Sequence, residues 1–280
     1  MDLTGSFPYF PLWLITLLLF IALLLARELG AWIRARRNRS VLAGQSADDP
    51  ALRKDDDGDG VAFATTTVLG LLALLIGFTF SVSLGRYDER RELVLKEANA
   101  LGTTWLRADL LEAQDADRVR AILRQYVDAR VDFANAKDAR SEVEQFSRTV
   151  LIQNQLWAAV VAGVQPFRDT PRASLLVTTT NESIDLSAER FAARQNHIPH
   201  RILRMLFLFS LLAAGLLGYE RARKRGTTTL LLLLFSLAVA LVLDLDLPST
   251  GTVNVPQEPM LDLQRSLHAA MPAGSTAQSP

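Results

Sequence analysis

One uncharged stretch of the sequence, Val61–Leu84, constrains the fold more than any other feature of the chain. A helix rises about 1.5 Å per residue, so this stretch is long enough to cross the roughly 30 Å hydrocarbon core of a bilayer. The next stretch, Gly85–Leu111, is charged and amphipathic, and no proline separates the two. The pattern predicts one helix that leaves the membrane and continues as the first helix of a soluble domain.

Three further apolar runs predict three more membrane helices. In chain order, the four predicted membrane helices cover residues 10–26, 61–84, 202–219 and 227–243. A basic cluster follows the first run instead of preceding it, which is the reverse of a signal peptide and indicates a retained helix. We therefore predict an all-α fold, a four-helix integral membrane protein with a helical soluble domain between the second and third membrane helices.

The segments between the membrane helices are assigned from their composition and periodicity. In the long segment, apolar residues recur at helical spacing and no strand alternation competes, so we predict a helical extramembrane domain. The predicted segments are an N-terminal tail (1–9), a linker that is first basic and then acidic (27–60), the helical domain (85–201) and a C-terminal tail with a short amphipathic helix (244–280).

Composition and motifs argue against catalysis and against nucleic-acid binding. The 30 basic residues balance the 30 acidic ones, so no basic excess favours a nucleic-acid partner. The chain has no cysteine, no glycine-rich phosphate loop and none of the common hydrolase or metalloprotease motifs. We predict that it is not an enzyme and that it binds no cofactor and no metal.

Two sequence features resemble metal-binding sites, but neither supplies a complete set of ligands. Asp55, Asp57 and Asp59 match the opening of an EF-hand calcium loop, but Thr66 stands where the bidentate glutamate belongs, so an acidic linker is the favoured interpretation. His197 and His200 flank a proline beside the third membrane helix and are interpreted as interfacial residues.

Basic residues beside the membrane helices predict the orientation of the chain. They cluster in two short loops, Arg27–Arg39 and Arg221–Arg225. By the positive-inside rule these loops face the cytoplasm, so both termini and the helical domain are predicted to lie outside it. The predicted location is the inner cell membrane, as a multi-pass protein in contact with the lipid bilayer.

The second membrane helix carries a face of small residues, formed by Thr66, Gly70, Ala73, Gly77 and Ser81. Such faces let membrane helices approach closely, so packing on the chain's own membrane helices is the favoured interpretation. The row Gly70, Leu74 and Phe78 would instead form an apolar constriction if several copies surrounded an axis. Asp244 and Asp246 directly follow the last apolar run, where a ring of carboxylates in an oligomer would attract cations.

The sequence around the second membrane helix resembles that of the bestrophins. Gly77, Phe78 and Arg86 keep the family's spacing, in which a Gly-Phe pair is followed by seven residues, a polar residue and a charged helix. The tail LDLDLPSTGTVNVPQEPMLDLQRSL resembles the bestrophin segment that pairs acids with proline and glycine before a leucine-rich helix. The chain resembles in particular the bacterial bestrophin-like family.

Bestrophins are pentameric ion channels whose second membrane helix forms a hydrophobic neck, so the resemblance implies a homo-oligomer, a pentamer, that conducts ions. Gly70 replaces a bulky apolar residue of the family, and the acid-rich calcium site of animal bestrophins is absent. The predicted neck residues are Gly70, Leu74, Gly77 and Phe78, and the predicted pore-mouth residues are Arg86, Asp244 and Asp246.

The resemblance and the charge pattern imply opposite orientations. Bestrophins keep the large domain in the cytosol, whereas the arginine clusters of this chain predict the reverse, and we retain the prediction that uses the chain's own residues. The alternative function is a non-conducting membrane scaffold or envelope sensor whose helical domain binds a partner. That alternative predicts that Leu74 and Phe78 face other helices of the same protomer.

Overall fold

The computed structural model describes residues 11–44, 56–136, 138–220, 225–247 and 251–270, and every regular element in these ranges is a helix. This confirms the predicted all-α fold. Single 3₁₀ turns follow α2 and α4. In chain order, the α-helices are α1 Leu12–Gly44, α2 Asp56–Arg107, α3 Ala113–Ala134, α4 Ala139–Val164, α5 Pro171–Gln195, α6 His200–Glu220, α7 Arg225–Asp246 and α8 Glu258–Ala269.

The predicted continuity of the second helix is confirmed, because α2 runs without interruption from Asp56 to Arg107. The linker predicted at 27–60 is shorter than expected, since α1 extends through its basic part to Gly44 and α2 takes in its acidic end. The physical reason is that neither extension contains proline and the basic one is rich in good helix formers such as arginine, alanine and leucine. The predicted tail at 1–9, the middle of the linker at 45–55 and the basic residues 221–224 lie outside the described residues.

The chain divides into two compact units. The membrane unit comprises the described residues up to Gly85 together with His197–Leu247 and Gly251–Val253. The helical unit comprises Arg86–Asn196 and the described residues from Asn254 onward. The long helix α2 therefore contributes its first part to the membrane unit and its second part to the helical unit.

The membrane unit contains four helical stretches that are long and apolar enough to cross a bilayer, in α1, the first part of α2, α6 and α7. The chain is thus a membrane protein, and its described residues contain the four spanning helices that were predicted. Helix α1 packs mainly on α6 and also on α7. The fully buried side chains at the centre of this unit are apolar and include Leu23, Leu72, Leu206, Leu217 and Leu232.

Helices α1 and α6 approach so closely that their backbones touch at two glycines. A Cβ on Gly218 would lie 1.9 Å from the carbonyl oxygen of Arg27, and a Cβ on Gly30 would lie 1.9 Å from that of Gly215. No side chain fits at either distance, so the close approach requires glycine at both positions. The small-residue packing of this protomer lies between α1 and α6.

Arginines of α1 bind the ends of the two neighbouring helices. Arg34 Nη1 donates to the carbonyl oxygens of Tyr219 (2.7 Å) and Glu220 at the C-terminus of α6, where the helix dipole favours a cation. Arg27 Nη1 donates to the side chain of Thr229 and to the carbonyl oxygen of Arg225 (3.2 Å) at the start of α7. This end of the membrane unit is therefore held by charged hydrogen bonds.

The helical unit is a bundle in which α3 packs on α4 and α4 packs on α5. Local signals set the helix ends: Asp138 and Ser141 form a capping box at the start of α4, which ends before Pro166, and α5 begins with Pro171 at its first position. The buried core is apolar and includes Val94, Leu101, Val119, Leu123, Leu156, Val160 and Leu176.

Helix α8 lies in the C-terminal tail, where the sequence predicts a short amphipathic helix, and it belongs to this core. Its Met260 and Leu267 are buried, and Arg124 Nε of α3 donates to the carbonyl oxygen of Leu267 at 3.0 Å. Gln264 Nε2 donates to Asp128 of α3 at 2.8 Å. The last ten residues lie outside the described part of the chain.

Candidate functional site

The predicted neck residues lie on a face of α2 that the described part of the chain leaves uncovered. The side chains of Leu74 and Phe78 are 56% and 65% exposed. Apart from the adjoining residues and the backbone of α2 itself, no described atom lies within 4 Å of a Cβ built on Gly70 or Gly77. The opposite face of the same helix is buried and consists of Thr65, Leu72, Thr79 and Ser83.

The interpretation that the small-residue face of α2 packs on the chain's own membrane helices is therefore wrong. Helical periodicity defines a face but does not say which neighbour covers it, and α2 presents the opposite face to its protomer. On that buried face, Ser83 Oγ donates to the carbonyl oxygen of Val242 in α7 at 3.0 Å. The uncovered face is left for lipid or for another copy of the chain.

Asp244 and Asp246 lie within the last turn of α7, and not after the helix as predicted from the apolar run. Both are only 5% exposed. The carboxylate of Asp246 accepts from the backbone N–H of Ile198 at 2.9 and 3.2 Å, and that of Asp244 accepts from the backbone N–H and hydroxyl of Thr252. Each acid thus fixes a segment next to the end of α7.

Gly251 and His197 also contact the two acids at the end of α7. A Cβ on Gly251 would lie 2.8 Å from the backbone carbonyl oxygen of Asp244 and would also meet its carboxylate, so glycine is required beside this acid. His197 Nδ1 lies 3.0 Å from the carbonyl oxygen of Asp246, which gives the histidine a structural contact. No group of three metal-ligating side chains occurs among the residues that the structure describes.

Arg86, the third residue predicted at the pore mouth, lies on α2 at the start of the helical unit. Its side chain is half-buried, and within the described chain its Nη1 atom is buried without a hydrogen-bond partner. A buried guanidinium N–H without an acceptor is energetically costly, and the described chain supplies no acceptor for this one.

The helical unit contains a buried charge cluster that the sequence analysis missed. Glu97 of α2 accepts hydrogen bonds from Arg130 of α3 on both carboxylate oxygens and from Arg190 of α5 at 2.7 Å. The side chains of Glu97 and Arg130 are completely inaccessible. The only signal in the sequence was Arg130 itself, a charged residue in the otherwise apolar stripe of α3 that contains Tyr126 and Phe133.

The pKa of Glu97 shows which effect prevails in this cluster. Burial alone would raise the pKa, but the charges and hydrogen bonds of Arg130 and Arg190 lower it, and the net shift is downward. Burial, with the charge of Glu97 nearby, raises the pKa of Tyr126 to about 12, so this phenol is a neutral hydrogen-bonding group. The cluster is therefore a structural ion-pair network in which Glu97 is ionised.

Comparison with known proteins identifies a family and a fold. A family model described as Bestrophin-like domain matches residues 35–260. The fold is similar to crystal structures of a bacterial bestrophin homologue from Klebsiella pneumoniae. One mutant of that homologue has a TM-score of 0.63 at 15% identity, covering 89% of this chain and 98% of that chain. A structure of it solved by Zn-SAD phasing has the same TM-score and identity, covering 89% and 97%.

Another mutant of the same homologue has a TM-score of 0.60 at 15% identity, covering 89% of this chain and 99% of the other. At this identity the likeness concerns the fold. No curated protein sequence matches the chain.

Proposed function

The chain belongs to the bestrophin-like family of membrane proteins, and from this premise we propose that it assembles as a homo-oligomer, a pentamer, in the inner cell membrane and conducts ions. Helix α2 lines the pathway, and Gly70, Leu74, Gly77 and Phe78 form its apolar neck. The observation that supports this proposal most directly is that these four residues share the uncovered face of α2.

The chemistry of that face suits a constriction. Leu74 and Phe78 are one turn apart, so copies around an axis would form two apolar rings about 6 Å apart along the pathway. Rings of this kind close a pore by excluding water when it is narrow. Gly70 adds no side chain, so the pathway is wider on its side of Leu74.

The alternative of a non-conducting scaffold predicted that Leu74 and Phe78 face helices of their own protomer. Both side chains are more than half exposed in the protomer, which disagrees with that prediction. The channel is therefore the better-supported proposal.

The predicted mouth residues Arg86, Asp244 and Asp246 remain part of the proposal, with a qualification for the two acids. Because their carboxylates accept hydrogen bonds from Thr252 and Ile198, their replacement is expected to loosen the end of α7 as well as to change conduction.

Truncation of the neck tests the proposal. In planar bilayers, Phe78→Ala and Leu74→Ala are expected to raise the conductance or leak of the purified protein several-fold, because a smaller side chain widens and hydrates the constriction. The matched control is Leu18→Ala on α1, whose side chain is 55% exposed on a helix that does not line the pathway. A monomer in detergent, or an oligomer that conducts no ions, would contradict the proposal.

The orientation can be tested because the chain has no cysteine of its own. A cysteine at Asp169, a side chain that is 90% exposed in the helical unit, is expected to react with a membrane-impermeant maleimide added to spheroplasts. A cysteine at Arg36, in the first basic cluster, is expected to react only after permeabilisation. The reverse labelling pattern would place the helical unit in the cytoplasm, as the family resemblance implies.

A further inference from the structure

The helical unit contains a second feature that conduction does not explain, a cavity of about 270 Å³ that opens to solvent. Three guanidinium groups line it, those of Arg90, Arg190 and Arg194, and no carboxylate is among its lining side chains in the described structure. The side-chain amides of Asn135 and Asn254 stand at its rim. Every charged side chain that the described residues contribute to the cavity is therefore a cation.

The three guanidiniums are held in place by hydrogen bonds to other groups of the chain. Arg90 donates to the carbonyl oxygens of Ala193 (3.0 Å) and Asn196 (2.7 Å). Arg194 Nε donates to Glu142 at 2.7 Å, and its Nη2 donates to the carbonyl oxygen of Ala136 at 2.6 Å. A ligand that binds here would not have to order these side chains, which lowers the entropic cost of binding.

Arg190 connects the cavity to the buried charge cluster. It donates to Glu97 at 2.7 Å and to the side chain of Gln257, which also lines the cavity. Arg130, Arg190 and Arg194 surround the ring of Phe133, and two carboxylates, Glu97 and Glu142, pair with them. Because three guanidiniums face two carboxylates, this group of side chains carries an excess of positive charge.

Burial and charged neighbours both act on the pKa of Arg190. The pKa of Arg190 is lowered to about 10, chiefly by burial, and the charges of Arg130 and Arg194 act in the same direction while Glu97 opposes them. An anion in the cavity would offset the mutual repulsion of the guanidiniums.

We propose that this cavity binds a small oxoanion, a molecule that carries a carboxylate or phosphate group. Guanidinium groups donate in a planar fork that matches the paired oxygens of such groups, and they do so better than an ammonium. The volume is close to the lower end of the range for small-molecule sites, roughly 300–1,000 Å³, which limits the ligand to a few heavy atoms. The site would link α2 and α5 to the segment that carries Asn254 and Gln257 through one ligand.

Calorimetric titration of the full-length protein in detergent tests the proposal, with inorganic phosphate and malonate as separate probes at constant pH and ionic strength. Saturable binding of at least one probe, at one site per chain, is the expected result. The probe that binds more tightly distinguishes a phosphate ligand from a carboxylate one.

Two matched substitutions show whether the binding heat measured by calorimetry arises from the cavity. Asn254→Asp places a carboxylate at the rim and is expected to weaken binding by about tenfold or more, because a like charge lies within a few ångströms of the ligand. Asn99→Asp, the same change at an exposed site of α2 outside this cavity, is expected to leave the affinity unchanged. Absence of saturable binding, or equal affinities in the two variants, would overturn the proposal whether or not the protein conducts ions.

Discussion

Replacing Glu97 with glutamine is expected to lower the free energy of unfolding of the helical unit by about 3–5 kcal/mol. The substitution leaves the guanidiniums of Arg130 and Arg190 buried without the carboxylate that both of them contact. An uncompensated buried charge costs far more than an intact buried ion pair contributes. Chemical denaturation in detergent, followed by circular dichroism, measures the loss.

The control for this prediction is Glu92→Gln on the same helix. Glu92 pairs with Lys96 one turn away, and both side chains are more than half exposed, so little or no change is expected. Equal stabilities of the two variants would show that the charge of Glu97 is not needed by its partners.

The same cluster predicts a dependence of stability on pH. The pKa of Glu97 in the folded protein lies below its ordinary value, so its stabilising contribution is complete above the ordinary glutamate range. That contribution is lost as the pH falls through the folded-state pKa. The Glu97→Gln variant is therefore expected to lose less stability than the wild type on acidification, measured as the shift in denaturation midpoint.

Replacing Gly218 with alanine is expected to destabilise the membrane unit by about 3 kcal/mol, the upper part of the usual range for overpacking. The new Cβ would meet the backbone of Arg27, which cannot rotate away as a side chain can, so α1 and α6 must move apart. Thermal denaturation in detergent or lipid nanodiscs measures the effect.

Gly226→Ala in α7 is the matched control, because no described atom outside the adjoining residues and the backbone of α7 lies within 4 Å of a Cβ at that position. Alanine has the higher helix propensity, so this variant is expected to be at least as stable as the wild type. Similar melting temperatures for the Gly218 and Gly226 variants would contradict the close backbone contact between α1 and α6.

The parts of the fold that could be predicted from the sequence are those that depend on neighbouring residues. The length and apolarity of Val61–Leu84 were sufficient to predict a spanning helix, and the absence of proline was sufficient to predict its continuation. Helical spacing also placed Gly70, Leu74 and Phe78 on one face. None of these inferences requires knowledge of which other elements pack against the helix.

The parts that could not be predicted depend on partners far away in the chain. Glu97 lies 33 residues from Arg130 and 93 residues from Arg190, and periodicity cannot pair them. The burial of Asp246 depends on Ile198, 48 residues earlier. The small-residue face of α2 looked like a packing surface, yet the glycines that allow close packing are Gly30 and Gly218.

Helix α6 is fastened at both ends, by Asp246 through the N–H of Ile198 just before its first turn and by Arg34 at the carbonyl oxygens of its last residues. The backbone contact at Gly218 also fixes its register against α1. Axial sliding of α6 would break charged hydrogen bonds at one end or the other. When the surrounding bilayer becomes thicker or thinner, α1, α6 and α7 are therefore expected to tilt together, as one body, instead of shearing past one another.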